Sequence, residues 1–235
     1  MLRHVKALRL LEHDTYLCLT QKIDAQNRAR VAIAVNADSL ATWFESFSHD
    51  VIKRLPVELE ILVEDQDHTW PIFSRGDAIG CVSTESKPSH GFNSIRLGAM
   101  DYRCVATQVF ARHHFSAGIT LHSALLSSAI LFNRKDFLRD TYLEKLFGMK
   151  VERYVKHYFP SPSAVLNAIL GENGYGLLPV VQARPFLKSG QLVDLTPSTS
   201  VSITLYWHHW QIESNLMKAI TTLLVQTARE SLLQN

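Results

Sequence analysis

The 235-residue chain is short of several features that would fix its class at once. Its three cysteines, Cys18, Cys81 and Cys104, are odd in number, far apart and in no CxxC pair. That excludes a disulfide framework and a cysteine zinc site, and it points to a reducing compartment. No run of about 18 apolar residues occurs, so no transmembrane helix and no membrane partner are expected. The first twenty residues carry leucines and basic groups, but His13 and Asp14 break the apolar run and no small-residue cleavage site follows, so a signal peptide is not expected and the cytoplasm is the simplest location. Charge of one sign is lacking too: 24 Lys and Arg stand against 22 Asp and Glu, a net of +2, which gives no strong field for phosphate. No GxSxG, GxGxxG, P-loop or HExxH occurs. The paired histidines His113/His114 and His208/His209 are sequence neighbours, which diverge on a helix or a strand, so neither a metal site nor any other cofactor is expected. Catalysis has no positive support.

What is present is 46% hydrophobic residues, enough for one large domain or two small ones, in an alternating pattern. Leu2, Val5, Leu8, Leu11, Leu17 and Leu19 fall at roughly helical spacing and predict an exposed amphipathic helix over residues 1–24, whose apolar stripe suits dimerisation. VAIAV (31–35) predicts a buried strand ending at Asn36, followed by a helix opening at Asp38 or Ser39 and running through Trp43, Phe44 and Phe47. ELEILVE (58–64) predicts a parallel strand covered on both faces. A short helix over 68–75 and the strand AIGCVST (78–84) complete a βαβαβ unit. Residues 95–107 predict one long strand, or two broken near Gly98 to Asp101.

The alternation then resumes. A short helix over 119–127, a strand over 129–133, a helix over 135–147 and a strand over 151–159 lead to a helix capped by Ser161 with Pro162 in its first turn. GYGLLPV is another buried strand, Gln182 to Lys188 a helix stopped by Gly190, LVDL and SVSITLYWHHW two more strands, and 213–233 a long amphipathic helix. The order predicts an α/β protein of two Rossmann-like subdomains, 29–100 plus 206–235 and 101–205, between which the chain crosses twice. In such sheets ligands bind beyond the carboxyl ends of the strands, here at the cleft between the lobes.

The residues following the strands mix helix-start donors with carboxylates: Asn36, Asp38 and Ser39; Glu64; Ser83 and Thr84; Asp101; Asn133; Ser161 and Ser163. Ser39 and Ser161 stand at expected helix N-termini, which favour an anion such as a carboxylate. Asp38, Glu64 and Asp101 are able to accept an ammonium or guanidinium. Capping alone accounts for Ser, Asp and Asn at such places, yet the whole set suits a small zwitterion with an extra basic group. Glu64 and Asp65, adjacent in a strand, point to opposite faces and form no acid/base pair.

The strings AVNADSLATWF (34–44), VED (63–65), RGDAIGCVS (75–83), LGAMDY (97–102), GQLVDLTP (190–197) and LYWH (205–208) resemble the effector domain of LysR-type transcriptional regulators, and within them the ArgP branch, over about residues 29–235. The resemblance implies a fold like type 2 periplasmic binding proteins, a lysine or arginine effector, and assembly as a homodimer or tetramer. It implies that Asn36, Asp38 and Ser39 form the first effector loop, that Ser83 and Thr84 lie at the third strand end and Asp101 at the hinge, and that Ser161 and Ser163 open the lobe-two helix. It further implies DNA contact only through an N-terminal winged helix-turn-helix, which the chain does not show. Asn133 stands where such regulators more often carry Asp. A solute-binding protein and a small α/β enzyme on the same scaffold are the rival readings.

Overall fold

A computed structural model describes Glu12 and residues 28–64, 77–88, 90–151, 153–211 and 214–234. The leucine stripe of residues 2–22, the helix expected over 68–75, and Asp65 lie outside them. The chain divides into two compact units, one made of residues up to Ala99 together with Thr204–Asn235, the other of Met100–Ile203. Both passages of the chain from one to the other fall inside strands.

In the first unit, β1 (Ala29–Asn36) pairs in parallel with β2 (Val57–Glu64) and with β3 (Gly80–Ser83), and β3 pairs antiparallel with β9 (Val201–Trp210). β1 is central and buried almost throughout, as its unbroken apolar run requires. β2 departs from the expectation of a strand covered on both faces. It lies at the end of the strand order β2-β1-β3-β9, and Glu58, Glu60 and Val63 are exposed. Alternating glutamates are what an edge strand with a wet face accommodates.

The helix after β1 also differs from expectation. Asn36, not Asp38 or Ser39, is its N-cap, and it is broken into α1 (Ala37–Leu40) and α2 (Trp43–Arg54). The break sits where the Thr42 hydroxyl donates to the Asp38 carbonyl at 2.6 Å, a local bond that competes with the helical ladder. The α2 face carrying Trp43, Phe44, Phe47 and Val51 is buried and packs on α8 (Asn215–Ser231). α8 presents Leu216, Ile220, Leu224 and Ala228 at helical spacing. The Phe44 and Phe47 rings meet edge-on at 4.8 Å.

The second unit is ordered β4 (Phe92–Thr107), β7 (Tyr175–Pro179), β5 (Ala129–Leu131), β6 (Lys156–Tyr158), with β8 (Leu192–Asp194) also on β4. β4 (Phe92–Thr107) is one strand, not two. Gly98 carries a φ of +138° within it, where a Cβ would stand 2.8 Å from Leu232 Cβ and 2.9 Å from the Leu233 carbonyl. Glycine thus keeps β4 continuous beside the C-terminal segment. α3 (Gln108–His114), capped by Thr107, follows without a break, where the apolar pattern predicts no helix. α4 (Leu121–Leu126), β5 (Ala129–Leu131), α5 (Leu138–Phe147), β6 (Lys156–Tyr158), α6 (Pro162–Leu170), β7 (Tyr175–Pro179), α7 (Val180–Ser189) and β8 (Leu192–Asp194) complete it. α5 starts later than residue 135 because Asn133 Oδ1 accepts from Lys135 N–H at 2.7 Å and Asp136 Oδ1 from Leu138 N–H at 3.1 Å, side-chain turns that hold these residues outside the helix. β6 is shorter than 151–159.

Side-chain alternation builds two cores on the second unit's sheet. Cys104, Ala106, Ala129 and Leu131 face one cluster with Tyr142, Leu143 and Tyr175, while Val105 and Ile130 face another with Val165, Ile169 and Leu178. The period of two decides the face.

Candidate functional site

The three parallel strands of the first unit end side by side, and their carboxyl ends gather six of the residues singled out from the sequence. Asn36 closes β1 in register with Glu64, the last residue of β2, and Ser83 closes β3. Asp38 and Ser39 follow in α1, Thr84 after β3. Parallel pairing puts these ends together, because each strand finishes where its neighbour does.

The hydrogen-bond state of these groups separates them. Asn36 is 2% exposed and Ser39 fully buried, yet neither Asn36 Oδ1, Asn36 Nδ2 nor Ser39 Oγ has a hydrogen-bond partner. Trp43, at the start of α2, adds a buried Nε1 that is equally unpartnered. Buried polar atoms are nearly always paired, and leaving one unpaired costs about 1–3 kcal/mol. Four such atoms within eight residues form a set of donors and acceptors that the described residues do not satisfy. Ser83 is different: its Oγ accepts from Glu85 N–H at 3.2 Å, and the local turn accounts for it. Nothing in the sequence marked Trp43 beyond the apolar face of α2. Its indole carbons do serve that face, and only the position of Nε1 reveals the polar end.

In the second unit the strands β6, β5 and β7 are parallel to one another, and the residues beyond their carboxyl ends include Asn133, Ser161, Ser163 and Gln182. Ser161 is the N-cap of α6, accepting from Ala164 N–H at 3.5 Å, with Pro162 at the first helical position. Ser163 is exposed. The Gln182 amide donates to the Pro162 carbonyl at 3.5 Å, which fixes its orientation and leaves Oε1 buried without a partner. No pattern in the sequence singles out Gln182. Asp101 lies within the continuous strand β4 and not beyond a strand end, and it is held there by accepting from Arg103 Nε at 3.2 Å and from Ser202 Oγ at 2.8 Å. Arg103 extends this network to Asp194 at 3.6 Å and to the Pro197 carbonyl at 2.8 Å. Among the described residues no group of three His, Cys, Asp or Glu is placed to hold a metal ion, and no helix is long and apolar enough to cross a membrane.

Comparison with known proteins gives this arrangement its context. Residues 24–229 match the family model described as the LysR substrate binding domain. The chain is 33% identical over 229 residues to the HTH-type transcriptional regulator ArgP of Photobacterium profundum, covering 97% of this chain and 76% of that protein. Among solved structures, ArgP from Mycobacterium tuberculosis superposes with a TM-score of 0.90 at 30% identity, covering 100% of this chain and 78% of that one. Full-length LysG from Corynebacterium glutamicum with bound effector Arg gives 0.87 at 28% identity, covering 99% and 78%. The α/β fold expected from the order of segments is the fold of these regulatory domains. The chain belongs to the LysR family of transcriptional regulators and carries the effector-binding domain of its ArgP-like members.

Proposed function

We propose that this domain senses a basic amino acid, arginine or lysine, and that the strand ends of the first unit hold the amino-acid moiety. The observation that carries the reading is the buried, unpartnered set of Asn36, Ser39 and Trp43. Ser39 Oγ–H, Trp43 Nε1–H and Asn36 Nδ2–H are donors for a carboxylate, and Asn36 Oδ1 is an acceptor for an ammonium. A zwitterion offers both groups, and charge-assisted hydrogen bonds of this kind are about twice as strong as neutral ones. Asp38 and Glu64 supply negative charge for the second cation. Asp101, already held by Arg103 and Ser202, serves the architecture of its own unit in this reading. Ser83 and Thr84 lie at the rim of the same strand ends in this reading. The bound effector Arg named for LysG, at 28% identity, supports the same class of ligand.

The role is sensing and not catalysis. Assembly as a homodimer or tetramer through residues 1–24, DNA contact through a winged helix-turn-helix only, and a cytoplasmic location belong to the same proposal. Calorimetric titration with L-arginine, L-lysine and L-norleucine tests it: heat is expected with the first two and much weaker binding with the third. Equal binding of norleucine removes the basic-side-chain reading, and no heat with any of them removes the amino-acid reading.

A further inference from the structure

Thr42 stands where a helix cap is expected and does not act as one. It occupies the N-cap position of α2, yet its side chain accepts no hydrogen bond from that helix. Thr107, Thr120, Ser161 and Ser214, in the same position before α3, α4, α6 and α8, all do. The Thr42 hydroxyl turns the other way. It donates to the Asp38 carbonyl at 2.6 Å and lies 3.3 Å from the Ser39 carbonyl.

Thr141, Thr222 and Thr227 make the corresponding bond to the carbonyl four residues back inside α5 and α8, and those helices continue through it. At Thr42 the helix does not continue: φ is −129° and ψ −102°, and the Thr42 N–H bonds to the Ser39 carbonyl at 3.2 Å. The Asp38 carbonyl, which an unbroken helix would pair with that N–H, takes the hydroxyl instead. The hydroxyl thus replaces a bond of the missing turn and ties the end of α1 to the start of α2. A β-branched side chain is stiff about χ1, which keeps it there. The residues on either side carry the orphaned groups. Ser39, whose carbonyl Thr42 reaches, is fully buried, and Trp43, the next residue, is 2% exposed; Ser39 Oγ and Trp43 Nε1 both lack a partner. Thr42 acts on Ser39 through the carbonyl and on Trp43 through the peptide bond they share.

We propose that Thr42 is a positioning residue of the amino-acid site: without touching the ligand, its hydroxyl holds Ser39 Oγ and Trp43 Nε1 in the relation at which both donate to one carboxylate. The inference rests on the function proposed above and adds the residue on which recognition of the carboxylate depends. Charge-assisted hydrogen bonds weaken steeply as their geometry degrades. A small rotation of α1 against α2 therefore costs affinity for the carboxylate and spares the cationic end.

Titration calorimetry of the whole chain with L-arginine, L-lysine and the amide of each, which keeps both cations and loses the carboxylate, tests this. The unaltered chain should prefer the amino acid to its amide by about tenfold or more. Thr42→Val, which keeps the shape and removes the hydroxyl, should bind the amino acid about tenfold more weakly and the amide within about threefold of the unaltered chain. Thr42→Ser, which restores the hydroxyl, should regain the preference. Undiminished preference in Thr42→Val, an equal loss for acid and amide, or a Thr42→Ser that behaves as Thr42→Val overturns the positioning role while amino-acid sensing stands. No binding of L-arginine or L-lysine to the unaltered chain removes the sensing reading, and this inference with it. Should Thr42→Val fail to fold, a crystal structure of the unaltered chain with the bound amino acid decides the matter. A carboxylate on Ser39 Oγ and Trp43 Nε1, with the Thr42 hydroxyl on the Asp38 carbonyl, supports the role; a carboxylate held elsewhere or a hydroxyl turned away overturns it.

Discussion

At the scale of single residues the molecule sorts its polar groups by whether the fold already satisfies them. Ser39, buried just beyond the end of β1, and Asp101, half-buried within β4, sit on opposite sides of that division. Ser39 Oγ has no partner, so Ser39→Ala should leave the melting midpoint of the free domain unchanged or slightly raised, since the orphaned hydroxyl contributes only a desolvation cost. The same substitution should weaken arginine binding by about 10-fold or more, the worth of one hydrogen bond to a charged group. Asp101→Asn should do the reverse. It removes the charge facing Arg103 and weakens the acceptor of Ser202, which predicts about 1–3 kcal/mol lost from denaturant-measured stability with affinity little altered. Parallel denaturation and titration of the two variants check the pair; a loss of affinity in Asp101→Asn larger than in Ser39→Ala would return Asp101 to the binding set.

At the scale of elements, close approach between β3 and β9 limits what the first unit tolerates. A Cβ on Gly80 would overlap the Trp207 indole, with Cζ2 only 2.5 Å away, and Trp207 is fully buried and tied by its Nε1 to Thr221 Oγ1 at 3.1 Å. The ring has nowhere to move, so Gly80→Ala should cost about 1–3 kcal/mol by overpacking, read as a lower urea midpoint at unchanged slope. The sequence made such elements legible in proportion to how local their causes are. The apolar run of β1, Ser161 with Pro162 at the start of α6, and Gly190 after α7 are each decided within a few residues, and each stands where the pattern placed it. The edge position of β2, the break at Thr42 and the late start of α5 depend on a missing neighbour or on a competing side-chain bond, and apolar periodicity carries neither. The candidate site divides in the same way. Strand order brought Asn36, Ser39, Glu64 and Ser83 to one end, whereas Trp43 Nε1 and Gln182 Oε1 emerge only from the positions of individual atoms.

At the scale of the whole molecule, the second unit is one uninterrupted stretch of chain set between two parts of the first. Its two cores draw only on residues between Cys104 and Val201, and its parallel strands β6, β5 and β7 find their partners within the same stretch. The first unit needs both its ends, because α8 covers α2 and β9 pairs with β3. Stability should therefore be inherited unequally when the chain is cut. A fragment of residues 100–203 retains every buried contact of its own clusters, and its size falls in the range that supports an independent core. It should unfold cooperatively, with a sigmoidal thermal transition and a near-ultraviolet circular dichroism signal from the packed Tyr142 and Tyr175. Residues 28–99 alone, lacking α8, would expose Phe44, Phe47 and Val51 on α2, and should bind a hydrophobic dye without a cooperative transition. A fragment 100–203 that binds the dye and melts without a transition would show that its cores depend on the rest of the chain.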